Sequence, residues 1–104
     1  MEIDCGLNER IIHQFVEISA LTPAVRKLVL FGSRASGNYK YNSDIDLAFQ
    51  SSGQVSSHYY FKMEEAAELY KLDLLDMDLI KEDLLVKQIQ EGIVLFERKN
   101  EGNC

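Results

Sequence analysis

The stretch Leu28–Phe49, which reads LVLFGSRASGNYKYNSDIDLAF, carries the strongest structural signals in the chain. An apolar run ends at Gly32-Ser33, ten residues of loop-like composition follow, and Asp44-Ile45-Asp46 leads into a second apolar run. An apolar run that ends in Gly-Ser predicts a buried strand that stops where the backbone turns sharply. Because residues two apart in a strand face the same side, we expect Asp44 and Asp46 to lie together while Ile45 faces the core.

Two carboxylates on one side of a strand favour a bound cation. They repel each other by about 4 kcal/mol at ~4 Å and an effective dielectric constant near 20. Hard oxygen ligands suit Mg²⁺, which keeps several waters and shares its coordination shell with substrate phosphates. A calcium-binding loop is excluded, because Leu47 stands where that motif requires glycine and Gly53 where it requires glutamate. An acidic strand end that faces solvent remains the alternative interpretation.

A third carboxylate is needed to hold two metal ions, and the segment LDLLDMD offers three candidates. Asp73 lies near the start of a predicted strand between two leucines, where a carboxylate without a metal or proton would be costly. Asp76 and Asp78 are equally consistent with solvated residues in a turn. Together these groups suggest phosphoryl-group transfer with two metal ions. One ion would activate the acceptor oxygen, and the other would stabilise the leaving pyrophosphate.

The bulk composition indicates a single ordered domain over residues 1–104. A chain of 104 residues with 46% hydrophobic content can bury roughly two thirds of the surface that its unfolded form exposes. The formal net charge of −6 argues against a surface that grips nucleic acid by its phosphates, so no direct nucleic-acid binding is expected. A nucleotide that arrives with metal ions remains compatible with this charge.

The chain ends indicate a reducing compartment. We interpret Cys5 and Cys104 as free thiols, because no basic region followed by a long apolar run marks a signal peptide. No apolar segment reaches the length of a membrane span. We therefore expect a cytoplasmic protein that does not associate with a membrane.

Periodicity and turn residues predict an α/β (α+β) fold, with helices against a small sheet, in the order helix, strand, turn, strand, helix, strand, helix, strand. The predicted elements are a helix over Asn8–Ala20, a strand over Val25–Phe31, a helical turn over Ser33–Gly37, a strand over Asp44–Gln50, a helix from Ser56 or Ser57 to Lys71, a strand over Leu72–Met77, a helix over Glu82–Glu91 and a strand over Ile93–Phe96. Residues 97–104 are polar and are expected to form a frayed tail.

Gly32-Ser33, the ten-residue spacing to Asp44-x-Asp46, and a later strand aspartate at Asp73 together resemble the nucleotidyltransferase fold of polymerase-β type. The segments GSRASGNYKYNSDIDLAF and IQEGIVLFE resemble the corresponding sequences of its minimal nucleotidyltransferase (MNT) branch. The resemblance covers nearly the whole chain. It implies a small mixed sheet flanked by helices.

The resemblance also implies a catalytic site. Asp44, Asp46 and Asp73 would be the catalytic triad that binds two Mg²⁺ ions, and Gly32 and Ser33 would contact the triphosphate of ATP. Arg34 matches a common position of the branch and would also bind the nucleotide, with a solvated surface arginine as the alternative. Many relatives have a second arginine where this chain has Ser36 or Gly37, which weakens the case for further phosphate contacts in that loop.

Members of this branch commonly pair with a HEPN toxin and act as its antitoxin, and some transfer AMP from ATP to a tyrosine of that partner. The resemblance therefore implies a hetero-oligomeric antitoxin with AMPylation activity. Two alternatives stay open at this point. The chain could block its partner by occlusion without catalysis, or it could transfer a nucleotide to a small molecule.

Overall fold

Four β-strands form the centre of the fold in a computed structural model, which describes residues 5–99 of the chain. The strands are β1 (Val25–Phe31), β2 (Ile45–Ser51), β3 (Leu72–Asp76) and β4 (Ile93–Glu97). The helices are α1 (Glu9–Ala20), α2 (Ser33–Ser36), α3 (Ser57–Ala66) and α4 (Asp83–Gln90), and a 3₁₀-helix spans Met77–Leu79. The predicted order of helices and strands is confirmed.

The sheet is mixed, with the strand order β3-β2-β1-β4. β1 pairs antiparallel with both β2 and β4, whereas β2 and β3 run parallel and are joined through α3. The register places Phe31 opposite Asp46 and Asp46 beside Asp73. The end of β1 therefore meets the starts of β2 and β3 at one edge of the sheet.

Alternate residues of the strands supply two hydrophobic clusters, as the two-residue period of a strand requires. Leu28 and Leu30 of β1 belong to the larger cluster with residues of α1 and α3, such as Phe15 and Met63. The smaller cluster lies on the opposite face and consists of Val29, Phe31, Ala48 and Ile89 of α4. Helices therefore cover both faces of the sheet.

Helix α3 ends at Ala66, five residues before the predicted end at Lys71. Glu68 has a φ of 59° and is the one residue other than glycine with a positive φ in the described part of the chain. A left-handed residue just after a helix stops its hydrogen-bond ladder. The break that separates α3 from β3 is therefore made by Glu68, not by a glycine or proline that the sequence would reveal.

The carboxy-terminal segment is ordered further than predicted. Glu97 belongs to β4, and Arg98 donates hydrogen bonds to four backbone carbonyls. The prediction that the frayed tail begins at Glu97 is therefore wrong for these two residues. Residues 100–104, including Cys104, lie outside the described range. Cys5 is a buried free thiol. Within residues 5–99, no helix is both long and apolar enough to cross a membrane.

Candidate active site

Two of the three predicted carboxylates meet at the edge where β1 ends. Asp46 and Asp73 are register partners on the parallel strands β2 and β3, close enough for a protonated Asp46 carboxyl to donate a hydrogen bond to Asp73. Ile45 is fully buried in the larger hydrophobic cluster, as predicted, and so is Leu47, the other neighbour of Asp46 in β2. By the strand period, Asp46 therefore lies on the same side of the sheet as α4.

Asp44 lies just before β2 rather than inside it, which differs from the predicted strand start. A turn closes the preceding segment, with the amide of Ser43 donating to the carbonyl of Lys40, and strand pairing begins only at Ile45. The charge of Asp44 nevertheless acts on Asp46. Among residues 5–99, no three acidic, histidine or cysteine side chains form a ready metal-ion cluster. The arrangement is a close carboxylate pair with Asp44 as its neighbour.

The electrostatics of this group oppose ionisation of its central member. Burial, then the charges of Asp73 and Asp44, and then the hydrogen bond with Asp73 raise the pKa of the Asp46 carboxyl to about 6. All four effects favour the protonated acid: burial removes solvation from the carboxylate, the two neighbouring charges repel it, and the hydrogen bond to Asp73 needs the proton of Asp46. A cation at this point would offset that cost.

The other two candidate aspartates have a different role. Asp76 ends β3, and its carboxylate accepts a hydrogen bond of 2.9 Å from the backbone amide of Asp78. This contact caps the 3₁₀-helix that follows. The Asp76 carboxylate therefore stabilises the start of the 3₁₀-helix, and the Asp78 side chain is exposed.

Gly32 forms the bend between β1 and α2, directly against the carboxylates. Its φ of 77° and ψ of −154° lie in a region that is essentially restricted to glycine. A Cβ atom on Gly32 would also collide with the Oδ2 atom of Asp46. The backbone at Gly32 therefore lies close enough to the Asp46 carboxylate that only glycine fits there.

An open cleft of about 310 Å³ begins at this bend. Its lining includes Gly32 and Ser33 of the bend, Gln88 of α4, and Glu91 and Gly92 directly after that helix. The sequence did not identify Gln88, Glu91 or Gly92 as site residues. The only signal for them is the spacing of three between Gln88 and Glu91, which places both on one helix face but does not show what that face meets.

A second, larger cleft of about 580 Å³ lies beside Asp44. Its lining residues include Asp44, Lys71 and the exposed side chains of Tyr41 and Leu69. Open space therefore adjoins the site at two places. Gly32, which lies against the Asp46 carboxylate, lines the smaller cleft, and Asp44 lines the larger one.

Arg34 is not placed to bind a nucleotide, and it is not a surface arginine either. Its side chain is 1% exposed. The guanidinium donates hydrogen bonds to the backbone carbonyls of Cys5, Tyr41 and Ser43. The prediction that Arg34 contacts the nucleotide is therefore wrong for this structure, because every guanidinium nitrogen is already engaged with the protein's own backbone.

The chain is therefore a small α/β protein with a group of carboxylates at one end of its sheet. Residues 13–101 match the family described as polymerase beta, nucleotidyltransferase. The match covers most of the chain, so the protein belongs to this family and is a nucleotidyltransferase. No curated protein matches the chain by sequence.

Solved structures agree with the family assignment. A toxin–antitoxin structure with AMP-PNP is 25% identical with a TM-score of 0.67, and the match covers 91% of this chain and 77% of that one. A complex of a tri-AMPylated HEPN toxin from Shewanella oneidensis with an MNT antitoxin is 18% identical, with a TM-score of 0.63 and coverages of 88% and 73%. A putative nucleotidyltransferase from Sulfolobus solfataricus is 19% identical, with a TM-score of 0.51 and coverages of 88% and 87%.

Proposed function

We propose that the protein is an antitoxin that transfers AMP from ATP to a tyrosine hydroxyl of a partner HEPN toxin. The observation that carries the proposal is the register pairing of Asp46 with Asp73 against the Gly32 bend, where crowded negative charge lies beside an open cleft. The toxin–antitoxin structure with AMP-PNP and the AMPylated HEPN complex support the choice of nucleotide and partner.

The residues present fit magnesium. Mg²⁺ takes one or two protein carboxylates and completes its shell with waters and substrate phosphates, so a pair with a third carboxylate nearby is a suitable donor set. We assign Asp46 and Asp73 as the principal ligands and Asp44 as the third, for one or two ions. When bound, the ions would neutralise phosphate charge and activate the acceptor oxygen.

The two clefts suggest how the substrates enter. Gly32 and Ser33 would hold the phosphates of ATP in the smaller cleft, where the backbone can approach closely because no Cβ intervenes. The acceptor hydroxyl would approach from the larger cleft beside Asp44. Transfer requires the phosphate and the acceptor oxygen to come within about 3–3.5 Å of each other, so the two substrates would have to meet at the carboxylates.

The test is to co-express the protein with the product of its neighbouring gene, where a HEPN toxin is expected, and to determine the intact mass of that product by mass spectrometry. The wild-type protein is expected to add AMP to that partner, and the double variant Asp44→Asn/Asp46→Asn is expected to add none. Asp78→Asn makes the same chemical change at an exposed position and serves as the control. Circular dichroism checks that each variant is folded.

Two results would contradict the proposed reaction. One is an unmodified partner with the wild-type protein, and the other is retained AMP addition by the double variant. A partner that is unmodified yet still neutralised by the double variant would instead establish inhibition by occlusion.

A further inference from the structure

Arg34 is a buried charge with an unusual set of contacts. Its Nε and Nη2 atoms donate to the carbonyl of Ser43 at 3.1 and 2.9 Å, and its Nη1 atom donates to the carbonyl of Cys5 at 2.8 Å. Nη2 also reaches the carbonyl of Tyr41 at 3.3 Å. In the described range, no carboxylate forms a salt bridge with it. A buried cation without an anion is costly, so backbone dipoles must supply its solvation.

Aromatic rings complete this environment. The guanidinium carbon lies 5.4 Å from the ring centroid of Tyr39 and 4.9 Å from that of Tyr70. Both distances are within the range in which a cation is attracted to an aromatic face. A lysine ammonium could not reproduce these contacts, because it lacks the planar fork that donates to several carbonyls while lying against two rings.

The contacts of Arg34 connect the three segments that carry the candidate site. Arg34 itself belongs to α2, which begins directly after Gly32. The carbonyl of Ser43 belongs to the residue that precedes Asp44, and Tyr70 lies two residues before β3, which carries Asp73. One side chain therefore ties the bend, the segment before β2 and the entry to β3 to each other.

Of the three aspartates, Asp44 depends most on this tie. Asp46 and Asp73 are held by strand pairing, whereas Asp44 lies outside the strand. The repulsion among the carboxylates would push the least restrained one outward. The bond from Arg34 to the carbonyl of Ser43 acts on the peptide unit that leads into Asp44.

We propose that Arg34 is a positioning residue for the carboxylate site, which holds the backbone that carries Asp44 so that its carboxylate faces Asp46 and Asp73. The inference rests on the proposed function, since it concerns the same metal-binding site. Mutation of a residue that orients a metal ligand without binding the metal itself commonly weakens metal affinity by about 10- to 100-fold. Arg34 acts in this way through the backbone.

Arg98 provides a matched control. Its guanidinium donates to four backbone carbonyls and lies 5.2 Å from the ring centroid of Phe96, so it resembles Arg34 in the kind of contacts it makes. It binds at Val25, the opposite end of the seven-residue strand β1, about 20 Å from the candidate site. Arg34→Lys and Arg98→Lys therefore remove similar interactions at different places.

The test measures Mn²⁺ binding by electron paramagnetic resonance, in the presence of a non-hydrolysable ATP analogue. Both variants are expected to lower the melting temperature. Arg34→Lys alone is expected to raise the Mn²⁺ concentration at half-saturation by about 10-fold, with full occupancy restored at excess Mn²⁺. Equal Mn²⁺ affinity in the two variants would overturn the inference and leave the proposed function standing.

One further result would contradict both the inference and the proposed function. If the wild-type protein with nucleotide binds no Mn²⁺, the proposed function fails and the inference fails with it. Should Arg34→Lys not fold, Tyr70→Leu takes its place, with Tyr70→Phe as the variant that keeps the aromatic face. Weaker Mn²⁺ binding by Tyr70→Leu than by Tyr70→Phe would then support the inference, and equal binding would overturn it.

Discussion

Replacing Asp46 with asparagine is expected to stabilise the metal-free protein while it destroys the site. Burial and the neighbouring carboxylates raise the pKa of Asp46 from 3.8 to about 6 in the folded state. At neutral pH the folded protein therefore holds an ionised group in a place that disfavours the charge. An asparagine side chain at this position would carry no charge, and its amide could donate a hydrogen bond to Asp73.

The magnitude follows from the two pKa values. A difference of about two between them corresponds to about 3 kcal/mol, but Asp46 is only half-buried, and solvent screening reduces the effect to about 1 kcal/mol. Between pH 3.8 and about 6 the folded protein keeps a proton that the unfolded chain has lost. The free energy of unfolding of the wild type therefore falls as the pH rises through this window, and the contribution is fully present only below pH 3.8.

Thermal unfolding in EDTA, followed by circular dichroism from about pH 3.5 to about pH 8, measures this effect. Asp46→Asn is expected to melt about 4–8 °C above the wild type near neutral pH, and the difference is expected to vanish near the acidic end. Asp78→Asn, at an exposed position, controls for the change in net charge. If Asp46→Asn melts at or below the wild type at neutral pH, or gains no more than Asp78→Asn, the electrostatic reasoning is refuted.

Two further predictions concern the same edge of the sheet. ATP with Mg²⁺ is expected to raise the melting temperature of the wild type more than ATP alone, because the carboxylates need a countercharge beside a triphosphate; equal shifts would contradict this. Gly32→Ala is expected to lower the free energy of unfolding by about 1–3 kcal/mol in urea denaturation, because alanine disfavours the backbone conformation at this bend. Gly53→Ala, whose Cβ would meet no atom within 4 Å, is the control, and an equal loss in both variants would count against the assigned role of Gly32.

The sheet could be predicted from sequence because its signals are local. The strand Val25–Phe31 has the predicted bounds, since a run of apolar residues ends at a glycine with a special conformation. The end of α3 was misplaced because it depends on the left-handed Glu68, and neither composition nor periodicity identifies that residue as a helix stop. Local patterns therefore specify which elements form more reliably than where they end.

The site was predicted unevenly for a related reason. The proximity of Asp46 and Asp73 follows from placing each at the start of a strand, and the parallel register then brings them together. Arg34 shows the opposite case. Its partners are carbonyls at residues 5, 41 and 43, and backbone carbonyls carry no sequence signal. A buried structural arginine and a nucleotide-binding arginine therefore look identical in a single sequence.

The contrast between Asp46 and Arg34 explains how an acidic site can persist without its cation. Strand pairing holds Asp46 and Asp73 together against their mutual repulsion. The raised pKa of Asp46 reflects the free-energy cost of ionising it there. Asp44 has no strand to hold it, so the repulsion would be relieved by moving that residue away. A buried guanidinium that is solvated by the neighbouring carbonyls prevents this movement, because releasing the segment would leave the charge of Arg34 without hydrogen-bond partners. The cost of burying Arg34 is therefore linked to keeping Asp44 within reach of the proposed metal site at Asp46 and Asp73.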